Sequence, residues 1–162
     1  MNKVAYGVCP CDAQKKYLSC CEPFITGKQS PETPEALMRS RYSAYTMAHI
    51  GYIKETMRGN ALAGFKELDA KRWAKRVNWI KLIVIKSGIE SPGRAYVEFE
   101  ASFVDGSHLK SIHEKSEFIF EKGRWYYVGG QHLPTTHTEQ IISRSMSCPC
   151  GSHRKFKNCH AT

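Results

Sequence analysis

All seven cysteines of this chain fall in two short segments, one near each end. The first reads Cys9-Pro10-Cys11, then eight residues, then Cys20-Cys21. The second reads Cys148-Pro149-Cys150, then eight residues, then Cys159-His160. Within the spacers both place two basic residues before an aromatic one, Lys15-Lys16-Tyr17 and Arg154-Lys155-Phe156. A repeat of that detail marks one structural unit used twice. Each unit offers four sulfur or nitrogen donors, the number and type that a tetrahedral zinc ion takes. The proline between the first two cysteines fixes φ and limits the entropy lost when both thiolates turn to one ion. Asp12 and Gly151-Ser152 stand where the chain must turn back, and these residue types suit turns.

Other chemistries of the same residues remain in view. Disulfides would leave a thiol over, because the count is odd, and His160 cannot join one. Cys9, Cys11, Cys20 and Cys21 could also hold an iron–sulfur centre. A redox or nucleophilic cysteine would be expected in a Cys-x-x-Cys pattern, which the chain lacks. Zinc answers the mixed Cys/His set best, so two zinc ions per chain are expected. Four protein ligands leave no position for water, so both sites read as structural. Segments this short have little core of their own, and the metal should supply much of their folding energy.

The elements between them must position these sites. A loop rich in Pro, Gly, Ser and Thr covers 27–34. Thr33 then suits an N-cap and Pro34 a first helical position. The helix is expected to reach about His49, with Leu37, Tyr42, Tyr45 and Ala48 inward. A second helix is expected over 52–57, ended by Gly59-Asn60, and a third over 65–77 with Leu68, Trp73 and Val77 inward. The period then changes. Residues 79–86 read as a strand covered on both faces. Ala95, Val97, Phe99, Ala101 and Phe103 alternate with polar residues, the pattern of a strand buried on one face. Asp105-Gly106 and Lys122-Gly123 separate further strands over 112–121 and 125–128. Helices followed by antiparallel strands give an α+β domain with helices packed on one face of the sheet. The expected domains are an N-terminal knuckle over 1–26, the α+β domain over 27–145 and a C-terminal knuckle over 146–162. Domain termini often lie close together, which would join the two knuckles into one surface.

A curved sheet closed by helices leaves room for a cavity, which Tyr42, Tyr45, Trp79, His113 and Trp125 could line. His113 would be the general acid or base there, with Glu117 two positions along the same strand face. The simpler reading makes His113 a surface or hydrogen-bonded histidine and the rings ordinary core. No Gly-x-Ser-x-Gly, phosphate-binding glycine loop or His-Glu-x-x-His is present, so no catalytic residue is assigned.

The C-terminal segment Cys148-Pro149-Cys150-Gly151-Ser152-His153-Arg154-Lys155-Phe156-Lys157-Asn158-Cys159-His160 resembles the SEC-C motif, departing from its usual form at His153. The N-terminal copy keeps every ligand but has Asp12-Ala13-Gln14 in place of Gly-Ser-Gly. Leu37-Met38-Arg39-Ser40-Arg41-Tyr42-Ser43-Ala44-Tyr45, His113-Glu114-Lys115-Ser116-Glu117-Phe118 and Gly123-Arg124-Trp125-Tyr126-Tyr127 look like the YchJ family. That resemblance implies a central domain similar to nuclear transport factor 2, a curved antiparallel sheet wrapped against helices. It implies no settled activity. SEC-C tails in SecA-like proteins contact the SecB chaperone or ribosomes, so by analogy it implies a protein or ribosome/RNA partner.

Composition sets the outer bounds. The chain has 162 residues, 41% hydrophobic and 24% charged, which fits one globular domain and excludes disorder. Neither a secretory leader nor a membrane span is expected, and a cytoplasmic location follows. The formal charge of +9 favours acidic partners. Two divalent ions held by seven thiolates and a histidine would leave the chain basic. The leading expectation is a zinc-binding adaptor presenting Lys15, Lys16, Arg154, Lys155 and Lys157 beside Tyr17 and Phe156. The alternative is a small-molecule carrier or enzyme using the central cavity. A third reading is association through the sheet, with the knuckles only tying down the chain ends.

Overall fold

The structure is a computed structural model that describes residues 7–135 and 137–161. A 3-10 turn at Tyr17–Ser19 and helix α1 (Glu22–Ile25) follow the N-terminal cysteines. Helix α2 (Pro34–Thr46) begins as its sequence dictates. Thr33 Oγ1 accepts the Ala36 amide at 3.1 Å, and Pro34 takes a position where its missing N–H costs nothing. The helix stops earlier than expected. Ala48 adopts a left-handed φ of 55°, so it redirects the chain and does not extend the buried stripe of Leu37, Tyr42 and Tyr45.

Helices α3 (Ile50–Glu55), α4 (Gly59–Ala63) and α5 (Glu67–Arg76) complete the helical layer. Gly59-Asn60 does more than end α3, because it opens α4. Acidic residues in the first turn of α5 and basic ones in the last suit its dipole. Leu68 departs from expectation and is 75% exposed. Its inward neighbour Trp73 lies five residues on, roughly 140° around the helix, so the two cannot share a face.

Strands β1 (Asn78–Ser91), β2 (Arg94–Asp105), β3 (His108–Glu121) and β4 (Arg124–His132) form a curved antiparallel sheet in chain order. A short β5 (Gln140–Ile141) pairs with the start of β3. The β3–β4 turn is set by Lys122 and Gly123, at φ 50° and 81°, a two-residue hairpin geometry. The alternation on β2 holds: Ala95, Val97, Phe99, Ala101 and Phe103 are all buried. The expectation that β1 is covered on both faces fails. Leu82 is buried, but Ile83 and Ile85 are 45% and 47% exposed. The helices cover one face only, and β1 is an edge strand whose outer face meets solvent.

Helix α2 packs against β1, β2 and β4. The main core gathers Leu37, Ile53, Leu82, Val97 and Phe118, together with Cys9, Cys11, Tyr17 and Cys21 of the N-terminal segment. A smaller core joins Ile80, Val104 and Ile142 to Cys148 and Phe156 of the C-terminal segment. A register shift between Trp79 and Lys81 lets β1 serve both, with Trp79 in the first and Ile80 in the second. No helix among the described residues is long and apolar enough to cross a membrane.

Candidate metal centres

The sequence repeat is also a structural repeat. The Cys9 amide donates to the Lys15 carbonyl at 2.7 Å, and the Cys148 amide to Arg154 at 2.7 Å. Asp12 N donates to Cys9 O and Gly151 N to Cys148 O, both at 3.3 Å. Cys20 N and Cys159 N each donate to the carbonyl of their aromatic residue, Tyr17 and Phe156, at 3.0 Å. A 3-10 turn follows in each case, Tyr17–Ser19 and Phe156–Asn158. Left-handed residues fall at matching places: Asp12 (φ 59°) with Gly151 (81°), and Gln14 (56°) with His153 (60°). Those are the positions where the usual motif carries glycine, because the turn requires φ above zero.

This geometry brings each set of four donors together. Within each set, Cys9, Cys11, Cys20 and Cys21 or Cys148, Cys150, Cys159 and His160, the ligand atoms lie within 4.8 Å of one another. Cys11 and Cys20 sulfurs are 3.6 Å apart, Cys20 and Cys21 3.9 Å, and Cys150 and Cys159 3.6 Å. Zinc–sulfur bonds of ~2.3 Å at tetrahedral corners would put sulfurs ~3.8 Å apart. All seven thiols are free, so no disulfide competes. His160 turns Nδ1 toward the set, 3.2 Å from both Cys148 and Cys159 sulfurs. Thiols this close resist ionising together. Hydrogen bonds from Cys11 and Cys21 pull the Cys9 thiol well below its usual value, while contact with Cys11, then Cys9, then burial push Cys21 far above its own. At the other centre burial first, then the neighbouring sulfurs, push Cys148 up to about 12. Such a donor set is balanced by a cation, and both sets fit one.

The surroundings of the two centres differ. The first is tied to α2: Arg39 Nη1 donates to the Cys11 carbonyl at 2.6 Å, and Ser43 Oγ lies 3.5 Å from Cys9 Sγ. Asp12, the residue in glycine's place, accepts the Leu82 amide of β1 on Oδ2 at 3.1 Å. The second centre has Ser152 Oγ at 3.3 Å and Arg154 Nη2 at 3.5 Å from Cys159 Sγ. A groove of about 590 Å³ runs between the centres, bordered by Val8, Cys9 and Asp12 on one side and by Cys150, Arg154, Cys159 and His160 on the other. Its floor is Trp79, Ile80 and Lys81 of β1. The basic residues Lys15, Lys16, Arg154, Lys155 and Lys157 are exposed. Tyr17 and Phe156, expected beside them on the surface, are instead buried at 8% and 4% exposure. Each ring fills the interior of its knuckle, because so small a unit has little else to pack.

Residues 33–130 match the family described as YchJ, middle NTF2-like domain, and residues 144–162 match the SEC-C motif. The chain belongs to the YchJ family. It is 36% identical over 155 residues to a UPF0225 protein of Geobacter sulfurreducens, covering 94% of this chain and 96% of that one. A UPF0225 protein of Serratia proteamaculans is 38% identical over 156 residues, with 94% and 96% covered. Among solved structures, a SEC-C motif containing protein from Rhodopseudomonas palustris is 36% identical with a TM-score of 0.72, covering 79% of this chain and 100% of that one. Another, from Psychrobacter arcticus, is 29% identical with a TM-score of 0.69, with 96% of each chain covered.

In this YchJ-family domain a cavity of about 190 Å³ lies between α2 and the inner face of the sheet. Tyr42, Tyr45 and Trp79 line it as expected, but His113 and Trp125 do not. Trp125 borders a separate hollow with Phe24 and Tyr126. His113 projects from the outer sheet face, where Nδ1 bonds the Pro134 carbonyl at 2.8 Å and Nε2 meets Glu98 Oε1 at 2.9 Å. Glu117 shares that outer face. Side chains alternate along a strand, so Ile112, Glu114, Ser116 and Phe118 point inward. The parity of Ile112 and Phe118 carried that signal. The cavity also holds Arg41, a charged residue one turn after Leu37 on the buried stripe of α2.

Proposed function

We propose that this chain is a zinc-dependent interaction protein of the cytoplasm. Cys9, Cys11, Cys20 and Cys21 hold one zinc, and Cys148, Cys150, Cys159 and His160 hold the other. The observation behind this reading is that two centres from opposite ends of the chain border one groove. Bound zinc would supply structural cross-linking: four protein donors close each site, so neither keeps a place for a substrate or water. An imidazole beside three thiolates favours zinc over an iron–sulfur cluster, and seven unpaired thiols suit a reducing compartment.

Arg154 and Lys81 border the groove, and Lys15, Lys16, Lys155 and Lys157 are exposed on the two knuckles, which favours an acidic protein segment or RNA. A charge-led contact of this kind weakens steeply with salt. Retention of macromolecules on the immobilised, zinc-loaded protein should fall between low and moderate salt. It should be lost on Arg154→Glu with Lys155→Glu, and nuclease treatment should separate RNA from protein partners. Retention that ignores both salt and charge reversal, or none at either salt, would reject the reading.

A further inference from the structure

The cavity of the central domain contains two opposite charges that are not paired with each other. Arg41 is 7% exposed and has no carboxylate within ion-pairing distance among the described residues. Its two hydrogen bonds both run through Nη1, to the Ile53 carbonyl at 2.8 Å and to Thr56 Oγ1 at 2.6 Å. The guanidinium lies over the Tyr127 ring, 4.6 Å from its centroid. A buried cation with only neutral partners is costly, and the usual remedy is a carboxylate held in a forked pair of bonds. Burial pulls the Arg41 pKa down, and the field of Glu114, too far away to form an ion pair, offsets this only in part.

Glu114 meets the hydroxyl end of the same Tyr127. Its Oε1 accepts from Ser116 Oγ at 2.7 Å and from Tyr127 Oη at 3.0 Å, and no cation pairs with it among the described residues. The backbone leaves room for this carboxylate. At Gly130 of β4 a Cβ would stand 2.7 Å from Glu114 Cδ, so a larger residue there would push the carboxylate from its place. Segment 56–58 holds the tyrosine that touches both charges, since Tyr127 N donates to Thr56 O and Arg58 N to Tyr127 O, both at 2.9 Å.

We infer that this cavity binds a small zwitterion of the amino-acid type, its carboxylate on Arg41 and its ammonium on Glu114. A simple carboxylate would satisfy Arg41 but face the charge of Glu114. A simple amine would meet the reverse conflict. A molecule with both groups a few bonds apart answers each charge at once. The other walls include His132 and the rings of Tyr42, Tyr45, Trp79 and Phe99, which take an apolar side chain and whose faces favour an ammonium group nearby. The volume of about 190 Å³ is of the order that small ligands fill; an apolar cavity of ~150 Å³ takes up benzene. This site uses none of the eight metal donors, although Tyr42 and Trp79 border the groove as well as the cavity.

The three tryptophans give a built-in control. Trp73 and Trp79 line the cavity and Trp125 does not. With the full metal-loaded chain, L-phenylalanine and L-leucine should shift the indole resonances of Trp73 and Trp79 at millimolar concentration and leave Trp125 in place. The one-charge analogues of L-phenylalanine, 3-phenylpropionate and phenethylamine, should bind at least about tenfold more weakly, since each leaves a buried charge unmatched. Glu114→Gln keeps the shape of the site and should weaken L-phenylalanine by a similar factor while leaving 3-phenylpropionate unchanged or tighter. The inference fails if neither amino acid moves Trp73 or Trp79. It also fails if either analogue binds as tightly as L-phenylalanine, or if Glu114→Gln leaves L-phenylalanine binding intact.

Discussion

The two knuckles have the same backbone and different settings. Residues 9–21 and 148–160 share their hydrogen bonds, their left-handed positions and their 3-10 turns. Yet Cys9, Cys11 and Cys21 lie in the main core with Leu37 and Phe118, whereas Cys148 sits in a smaller core and Cys150 and Cys159 are half-exposed. The motif therefore determines its own fold, and its neighbours determine what depends on it. A four-thiolate centre would carry more negative charge than one with three thiolates and a histidine. Arg39 and the polar contacts from α2 answer that charge at the N-terminal end, and Arg154 does so at the other.

The largest expected difference follows from this embedding. Cys9→Ser with Cys11→Ser should destabilise the whole domain by about 4 kcal/mol or more, because metal loss opens the main core. Cys148→Ser with Cys150→Ser should leave the main unfolding transition nearly in place and free only the tail. Urea unfolding followed by circular dichroism measures both, and equal losses would erase the contrast. Next in size is the order of metal release. Under a chelator the half-exposed C-terminal centre should empty first, with the N-terminal centre slower by about tenfold, as followed by native mass spectrometry. The opposite order would show that burial does not protect the thiolates.

Smaller effects separate the two turns. Asp12→Gly keeps the left-handed turn and loses the bond to Leu82, which should cost about 1 kcal/mol of domain stability. Gly151→Ala meets nothing within 4 Å, so only its φ of 81° resists, again by about 1 kcal/mol, and the cost should appear in C-terminal metal affinity alone. A loss of domain stability from Gly151→Ala would break the distinction.

The smallest effect is on pH dependence. Once loaded, both centres should lose stability as pH falls, because their thiolates would take up protons. His113 behaves oppositely. The Pro134 carbonyl and then Glu98 raise its pKa, so its contribution is full below the ordinary histidine value and disappears as pH rises through the raised folded one. Glu98 is lowered, chiefly by His113, and its contribution fades as pH falls through that lowered value. His113→Gln should therefore cost a little stability in mildly acidic solution and none in alkaline. A histidine titration by NMR that gives an unraised pKa would remove this pair from the account.

Much of this was legible in the sequence, for physical reasons that can be located. The repeat and its eight donors could be read because metal geometry needs fixed residue types at fixed spacing. The alternation on β2 gave its inner face directly, and Thr33-Pro34 gave the start of α2. Where sequence reading failed, the missing information was tertiary. Ile83 and Ile85 read as buried because their apolarity does not say that the sheet is covered on one side only. His113 is the hydrogen-bonded histidine of the simpler reading and not a cavity residue, and the parity of its strand neighbours places Glu114 in the cavity instead. Arg41 was hidden inside a helix read for its apolar stripe. That Asp12 could replace glycine was invisible, because its partner is an amide seventy positions away in β1.

The most direct test is the metal content of the freshly purified chain, read by native mass spectrometry with elemental analysis. Two zinc ions per chain are predicted, falling to one on Cys148→Ser with Cys150→Ser. A folded, metal-free chain, or a variant that retains the full metal count, would contradict the account.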